Sequence, residues 1–216
     1  MTQILQYNQI DRQQWTELLR TSETGTWFQT PEAYDFFASM PTLLEPFVYG
    51  VEKDKRLCAV CVGYVTKERN PIRQFFTRRA IITGGPCLAN NSLNEEVQLL
   101  LIHVSRQLST GANAPIYIET RNFNDYSRWK SAFIAAGFAY KPHLNFHVDP
   151  AVNKLSDNRK RQLKKSDAIS EPARSESEIR EWYRVLAELY RTKVKTPLWP
   201  IDFFLSAYRQ NIARFL

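Results

Sequence analysis

The chain of 216 residues is predicted to form an α/β fold in which helices pack on one mixed, largely antiparallel sheet. Short runs with the two-residue alternation of strands lie between longer segments with the apolar spacing of amphipathic helices. Their order is strand, helices, antiparallel strands, helix, strand, helix and strand. Hydrophobic residues make up 44% of the chain and charged residues 24%, which is ordinary for a globular protein.

The first 40 residues predict a short strand and two helices. Residues 4–7 read as the strand, and Asp11 stands where the N-cap of the following helix belongs. Thr30 and Pro31 predict the start of the second helix, because threonine is a good cap and proline is favoured at the first helical position.

The middle of the chain predicts the sheet. A turn at 53–55 joins the first two strands, a helix begins at Ser92, and another helix is closed by Gly137. The expected strands span residues 46–52, 56–66, 74–83, 115–121 and 138–148. His143 and His147 share one face of the last strand, where they are either ligands or part of a wet surface.

The composition changes after Pro150, which divides the chain into a first domain, 1–150, and the start of a second, 151–216. A basic helix opens the second part, and Ser175 caps a clear amphipathic helix. The end, residues 212–216, alternates like a strand without partners. Such an exposed strand predicts self-association through its unpaired edge.

Charge and cysteines narrow the function classes. The net charge is +7, and residues 53–90 (eight basic, two acidic) and 151–216 (fourteen basic, eight acidic) carry the excess, which favours an anionic partner. Neither a signal peptide nor a membrane-length apolar run is recognised, so we expect a cytoplasmic protein. Cys58 and Cys61 lie three apart in a strand, on opposite faces, so we expect neither a disulfide nor a metal there.

Short landmarks in the expected order resemble the FemAB family within the GNAT acyltransferases. They are a Trp-Phe-Gln-Thr sequence at 27–30, Gly-Gly-Pro at 84–86, a basic run at 159–165, Leu-Tyr-Arg-Thr at 189–192 and a Pro-x-x-Phe-Phe sequence at 200–204. The resemblance implies two GNAT-like domains, the second cut off in this chain as its sheet would begin. A departure is the helix after Thr30, which lacks the lysine that family members often carry.

The resemblance implies an aminoacyl or acyl transferase. The acceptor would be an amine on a nucleotide-linked or lipid-linked cell-wall precursor, and the donor aminoacyl-tRNA, with no cofactor. Glu119 and Arg121 end a strand, where sites in open α/β sheets lie, and Glu119 is the candidate that positions the amine. The candidate substrate- and phosphate-binding residues are Gln29, Thr30, Arg121, Arg159, Arg161, Lys164 and Lys165.

Two alternatives stay open. A GNAT N-acetyltransferase would use acetyl-CoA, but the glycine-rich turn that holds its pyrophosphate is missing: Gly84 and Gly85 are followed by Pro86, which has no backbone N–H. A non-catalytic RNA- or nucleotide-binding module would use the two basic segments with nearby aromatic side chains.

Overall fold

The computed structural model describes residues 1–68, 70–111, 114–142, 155–165 and 171–215. The chain divides into two compact units, Met1–Pro142 and His143–Leu216. The domain boundary predicted at residue 150 lies outside the described residues, as do His143 and His147.

The first unit is built on a mixed sheet. Strands β1 to β4 pair in chain order and antiparallel, β4 pairs with β6 in parallel, and the short β5 pairs with β3. The strands are β1 (Thr2–Gln6), β2 (Leu44–Lys53), β3 (Arg56–Thr66), β4 (Arg79–Gly84), β5 (Cys87–Leu88) and β6 (Tyr117–Asn122). The predicted α/β class with one largely antiparallel sheet is confirmed.

Helices cover both faces of this sheet. On one face α4 and α5 pack on a cluster that includes Val51, Ala59 and Ile82, and on the other α2 packs against Tyr64 through Phe37, whose ring centroid lies 4.7 Å away. The helices of the first unit are α1 (Arg12–Thr21), α2 (Pro31–Ala38), α3 (Pro71–Thr77), α4 (Asn94–Leu108) and α5 (Lys130–Ala135). Short 3-10 turns span Tyr7–Gln9, Trp27–Gln29 and Ser127–Trp129.

Local signals in the sequence explain several element ends. The Asp11 carboxylate accepts a hydrogen bond from Gln14 N at 2.8 Å, and Thr30 Oγ1 accepts one from Ala33 N at 3.0 Å, so both predicted caps are confirmed. Asp54 and Lys55 form the two-residue turn between β2 and β3, with φ of 48° and 64°, as primed hairpin turns require.

One predicted strand is partly wrong. Residues 74–77 belong to α3, and β4 begins only at Arg79. Asn70 Oδ1 accepts a hydrogen bond from Ile72 N at 3.0 Å, and Pro71 takes the first helical position. A side-chain cap followed by proline therefore starts a helix in the middle of the expected strand.

The second unit is helical where it is described. Its elements are α6 (Asp157–Lys164), α7 (Glu176–Leu189), a π-helical turn at Tyr190–Val194 and α8 (Ile201–Arg209). Ile179, Leu205 and Phe215 are buried, and the Trp182 ring meets Phe204 and Phe215 at centroid distances of 5.2 and 5.1 Å.

The strand predicted at the end of the chain is not formed by residues 212–215, and Leu216 lies outside the described part. Phe215 turns inward instead, and its carbonyl accepts a hydrogen bond from Ala173 N at 2.8 Å. Burial of this aromatic ring outweighs the strand-like alternation, so the described residues offer no free strand for self-association. No helix in the described ranges is long and apolar enough to cross a membrane.

The three cysteine thiols are free. Cys58 lies at the irregularity where the β2–β3 register shifts, between the pairs Val51–Ala59 and Glu52–Leu57. Burial raises the pKa of Cys58 to about 12 and that of Cys87 to about 11, and it also raises the pKa of Cys61. Thiols that stay protonated near neutral pH are poor nucleophiles, so we assign these cysteines no nucleophilic role.

Candidate functional site at the carboxyl ends of β4 and β6

The parallel strands β4 and β6 end side by side, with Gly84 opposite Asn122. In open α/β sheets, ligands bind beyond the carboxyl ends of such strands. Glu119 and Arg121, both predicted from the sequence, lie on β6 directly before this edge. We call the described side chains around it the β4–β6 edge.

A glycine turn shapes the edge. Gly84 and Gly85 have φ of 83° and 76°, a region that favours glycine. A side chain at Gly84 would collide with Thr26 Oγ1, and one at Gly85 with the Tyr126 hydroxyl. That hydroxyl lies 3.1 Å from Gly84 O and 2.7 Å from Pro86 O, and donates to this pair of carbonyls. The Gly-Gly-Pro landmark is thus a turn packed on both sides.

Glu119 and Arg121 form a two-point ion pair. Arg121 Nε donates to Glu119 Oε1 at 2.8 Å, and Nη2 donates to Oε2 at 3.2 Å. The hydrogen bond to Glu119 raises the pKa of Arg121, and burial opposes it. Arg121 Nη1 has no partner among the described residues, so the guanidinium is oriented by Glu119 and keeps donors for an anion or a polarised carbonyl.

Tyr64 and Thr83 complete the polar group on this face of the sheet. Tyr64 pairs with Ile81 across β3 and β4, Thr83 pairs with Arg121, and Ile81 pairs with Glu119. Burial raises the pKa of Tyr64, whereas a hydrogen bond with Thr83 and the charge of Arg121 lower it. Tyr64 and Thr83 could not be predicted from the sequence, because their proximity to Arg121 depends on strand register, which no local pattern gives.

Gln29 has no exposed surface and inserts its amide into the sheet. Its Oε1 accepts from Val62 N at 2.7 Å, and its Nε2 donates to Val62 O at 2.9 Å and Thr83 O at 3.0 Å. The amide therefore bridges β3 and β4 where their direct pairing stops. For Gln29 to contact a substrate directly, the amide would have to leave these backbone partners.

Thr30 lies at a neighbouring surface cavity of about 360 Å³. Its hydroxyl donates to Trp27 O at 2.8 Å and caps α2, so it is used within the chain. The cavity is lined by Thr16, Leu19, Arg20, Gly25, Thr26, Trp27, Thr30, Pro31 and Glu32.

Aromatic side chains connect the Trp27–Gln29 turn with the β4–β6 edge. The rings of Phe28 and Phe123 meet edge to face with centroids 5.9 Å apart. Phe28 precedes Gln29, and Phe123 follows the end of β6, so the contact holds the Trp27–Gln29 turn beside the β4–β6 edge. Gln29 thus contacts the backbone of Thr83, which is the strand partner of Arg121.

Thr26 is a further residue beside this edge that the sequence does not reveal. Its Oγ1 is buried beside Gly84 and has no hydrogen-bond partner in the described part of the chain. A buried hydroxyl without a partner costs free energy unless water or a ligand binds it. No local pattern distinguishes it, because its position depends on the packing of residues 58 apart.

The predicted cation cluster lies in the second unit, on α6. Its side chains are exposed, and Arg161, Lys164 and Lys165 fall on one helical face because they are three and four residues apart. Arg159 points elsewhere and bonds to Gln162 Oε1 at 3.3 Å. The helical geometry therefore divides the predicted set into three cations that share a face and one that does not.

His103 is the histidine that the structure describes. Its ring packs edge to face on Tyr49 at a centroid distance of 4.8 Å, burial lowers its pKa, and Nε2 has no partner among the described residues. It lies on α4, in contact with the core rather than with the β4–β6 edge.

No protein-family model matches the sequence, and no curated protein matches it. Among solved structures, FemX is similar to the chain with a TM-score of 0.57 and 14% identity, over 96% of this chain. The chain has a FemAB-like GNAT fold. It spans 54% of the FemX chain.

Two acetyltransferases are also similar to this chain. They are a probable acetyltransferase (TM-score 0.44, 13% identity) and glucosamine-6-phosphate N-acetyltransferase from Arabidopsis thaliana (TM-score 0.42, 14% identity). They cover 71% and 69% of this chain and 99% of their own chains.

The helix after the glycine turn has an acidic start. The first turn of α4 holds Glu95 and Glu96, and Glu96 Oε2 accepts from Leu93 N at 2.9 Å. Glu96 Oε1 also pairs with Lys53 Nζ at 2.6 Å. A helix start binds phosphate through its free N–H groups and positive dipole, and here carboxylates already occupy that environment.

Proposed function

We propose that the chain is an acyltransferase component of the FemAB type, which transfers an aminoacyl group to an amine of a nucleotide-linked or lipid-linked cell-wall precursor. The observation that carries the proposal is the similarity to FemX over 96% of the chain, which extends over both units. The landmarks at 27–30 and 84–86 support it, because both adjoin the β4–β6 edge. The chain spans about half the length of FemX. That this chain is active without a further partner chain is therefore also part of the proposal.

The reaction is an acyl transfer from an ester to an amine. The amine nitrogen forms a bond to the ester carbonyl carbon, the carbon–oxygen bond breaks, and the amine proton passes to the leaving hydroxyl of the tRNA. Such a reaction depends mainly on positioning and on stabilising the oxyanion intermediate. Arg121, held by Glu119, supplies donors for the oxyanion that develops on the ester carbonyl oxygen, and Glu119 also accepts a hydrogen bond from the incoming amine.

The acidic start of α4 favours this donor over acetyl-CoA. A diphosphate beside Glu95 and Glu96 would meet like charge, and Leu93 N already donates to Glu96. Phosphate binding is proposed instead on α6, where Arg161, Lys164 and Lys165 share an exposed face suited to a nucleotide or tRNA backbone. Aminoacyl-tRNA as donor places the reaction in the cytoplasm.

The test measures transfer of labelled amino acids from charged tRNA to a nucleotide-linked muropeptide. We expect Arg121→Gln to lower kcat/KM about 100-fold, the order of magnitude for loss of one oxyanion donor. Glu119→Gln should have a smaller effect, because it loosens the guanidinium without removing it. Arg191→Gln is the matched control, since Arg191 forms the same two-point pair with Glu188 on an exposed helix.

Three outcomes would contradict the proposal. Full activity of the Arg121→Gln variant would show that the β4–β6 edge does not take part in the reaction. Acetyl transfer from acetyl-CoA with inert charged tRNA would make the chain a GNAT N-acetyltransferase. Salt-sensitive tRNA binding without transfer to any acceptor would favour a binding module.

A further inference from the structure

Helix α3 presents three large apolar side chains to solvent. Ile72, Phe75 and Phe76 are 71%, 73% and 69% exposed. They stand at positions i, i+3 and i+4, so they form one stripe along the helix, and the two phenylalanine rings contact each other with centroids 5.1 Å apart. Single exposed apolar residues are ordinary on a surface, but a contiguous stripe of this kind marks an interaction site.

The opposite side of α3 is fixed to the sheet by polar bonds. Gln74 Oε1 accepts from Glu68 N, and Gln74 Nε2 donates to Thr66 O at 3.3 Å. Just beyond the helix, Arg78 Nη2 binds Glu45 Oε2 at 2.8 Å. This arrangement is the reverse of an ordinary surface helix, which buries its apolar face and exposes its polar face. The stripe therefore projects outward from an anchored base.

The sequence around the stripe is basic. Residues 67–79 contain five basic residues and one acidic residue, Glu68. Arg78 and Lys67 pair with Glu45, so the remaining excess of positive charge comes from Arg69, Arg73 and Arg79. Cations beside an exposed apolar stripe complement a surface that is anionic outside and apolar within, such as a bilayer with anionic headgroups.

We propose that α3 docks the protein on an anionic lipid surface, with Ile72, Phe75 and Phe76 inserted among the acyl chains. Side chains that are about 70% exposed protrude from the protein surface. The fluid acyl chains of a bilayer can surround protruding side chains without a matching pocket. A protein groove that binds a helix normally reads anchors over at least two turns, up to i+7, whereas α3 has seven residues. The inference goes beyond acyl transfer and does not depend on it.

The test is co-sedimentation of the full chain with vesicles. We expect binding to vesicles of phosphatidylglycerol and phosphatidylcholine, weaker binding at high salt, and little binding to phosphatidylcholine alone. The double variant Phe75→Ser/Phe76→Ser should bind at least ten-fold more weakly, with unchanged thermal unfolding. The matched control is Ile116→Ser/Ile134→Ser, which removes two apolar side chains that are 57% and 55% exposed elsewhere on the first unit.

A second measurement separates insertion at α3 from adsorption through the basic α6. Phe75→Cys carrying a polarity-sensitive dye should shift its emission to the blue on vesicles, whereas the same dye at Ile134→Cys should not. The three native thiols are half-buried or buried, and burial raises their pKa values, so the introduced cysteine is the one that reacts. The proposal is wrong if the double serine variant binds vesicles like the unaltered chain, or if the dye at position 75 does not shift. It is also wrong if the unaltered chain ignores vesicles and the serine variant only converts a dimer to a monomer.

Discussion

Gln29 shows how a side chain can replace a stretch of strand pairing. Its amide has the donor and acceptor geometry of a peptide group, so it satisfies Val62 N and Val62 O at once and reaches Thr83 O on the next strand. The indole of Trp15, which is fully buried, donates to Gln29 O at 2.7 Å and fixes the backbone behind it. The residue therefore shapes the β4–β6 edge from within the sheet.

We expect Gln29→Ala to lower the free energy of unfolding by about 3 kcal/mol or more, because three buried backbone groups lose their partner. Gln29→Met should be nearly as destabilising, since it keeps the volume but not the hydrogen bonds. Urea denaturation with a common slope measures both variants. A Met variant within about 1 kcal/mol of the unaltered chain would show that packing dominates.

Individual site residues could be predicted from the sequence where they lie near the end of a predicted strand. Glu119 and Arg121 were predicted from the end of a strand, and the structure places them at the carboxyl edge of β6. Tyr64 and Thr26 could not be predicted, because each approaches the edge through contacts between distant segments. The functional roles of the candidate residues stay predictions.

At the scale of the elements, the Glu96 carboxylate both caps the start of α4 and forms an ion pair. Glu96 is buried, accepts from Leu93 N and pairs with Lys53 on β2. The hydrogen bond to Glu96 raises the pKa of Lys53. The sequence predicted that this helix begins at Ser92. Ser92 instead donates to Cys58 O at 2.8 Å, so a tertiary hydrogen bond displaces the local motif.

We expect Glu96→Gln to retain the cap and lose the ion pair, and Glu96→Ala to lose both. The Ala variant should therefore unfold with a free energy about 2 kcal/mol lower than that of the unaltered chain, and the Gln variant with an intermediate value. Urea unfolding followed by circular dichroism gives the order. Glu95→Ala is the control and should change little, since Glu95 is exposed. Equal losses at both positions would contradict the assignment.

Element prediction succeeded where caps and periodicity agree and failed where tertiary contacts decide. Asp11 and Thr30 cap the helices at the positions predicted from their side chains. The Asn70–Pro71 pair was a readable helix start inside an apolar run that otherwise resembled a strand. The burial of Phe215 could not be predicted from the neighbouring sequence, because its partners Trp182 and Phe204 belong to helices α7 and α8.

The two units differ in the core that each can bury. In the described residues, the first unit has buried side chains on both faces of a sheet, whereas the second buries Ile179, Leu205, Ala207 and Phe215. A small core offsets little of the entropy lost on folding. The similarity to FemX extends over both units.

We expect a chain ending at Pro142 to fold by itself and to keep the main cooperative transition of the full chain. Residues 155–216 alone should be partly helical in circular dichroism and lack a cooperative transition. Calorimetry of the two pieces and the full chain measures this. A sharp transition in the 155–216 piece would contradict the expectation, as would an unfolded first unit.

The way the strands pair also bears on the time course of folding. The hairpin of β2 and β3 closes across a two-residue turn, whereas β4 meets β6 only after the whole of α4 has been passed. Pairings between residues distant along the chain form slowly, because a long loop must close first. The register that sets Arg121 beside Thr83 is therefore a late event. During refolding we expect most helices and the β2–β3 hairpin to form before the β4–β6 edge. Any activity that depends on this edge should then recover more slowly than the secondary structure.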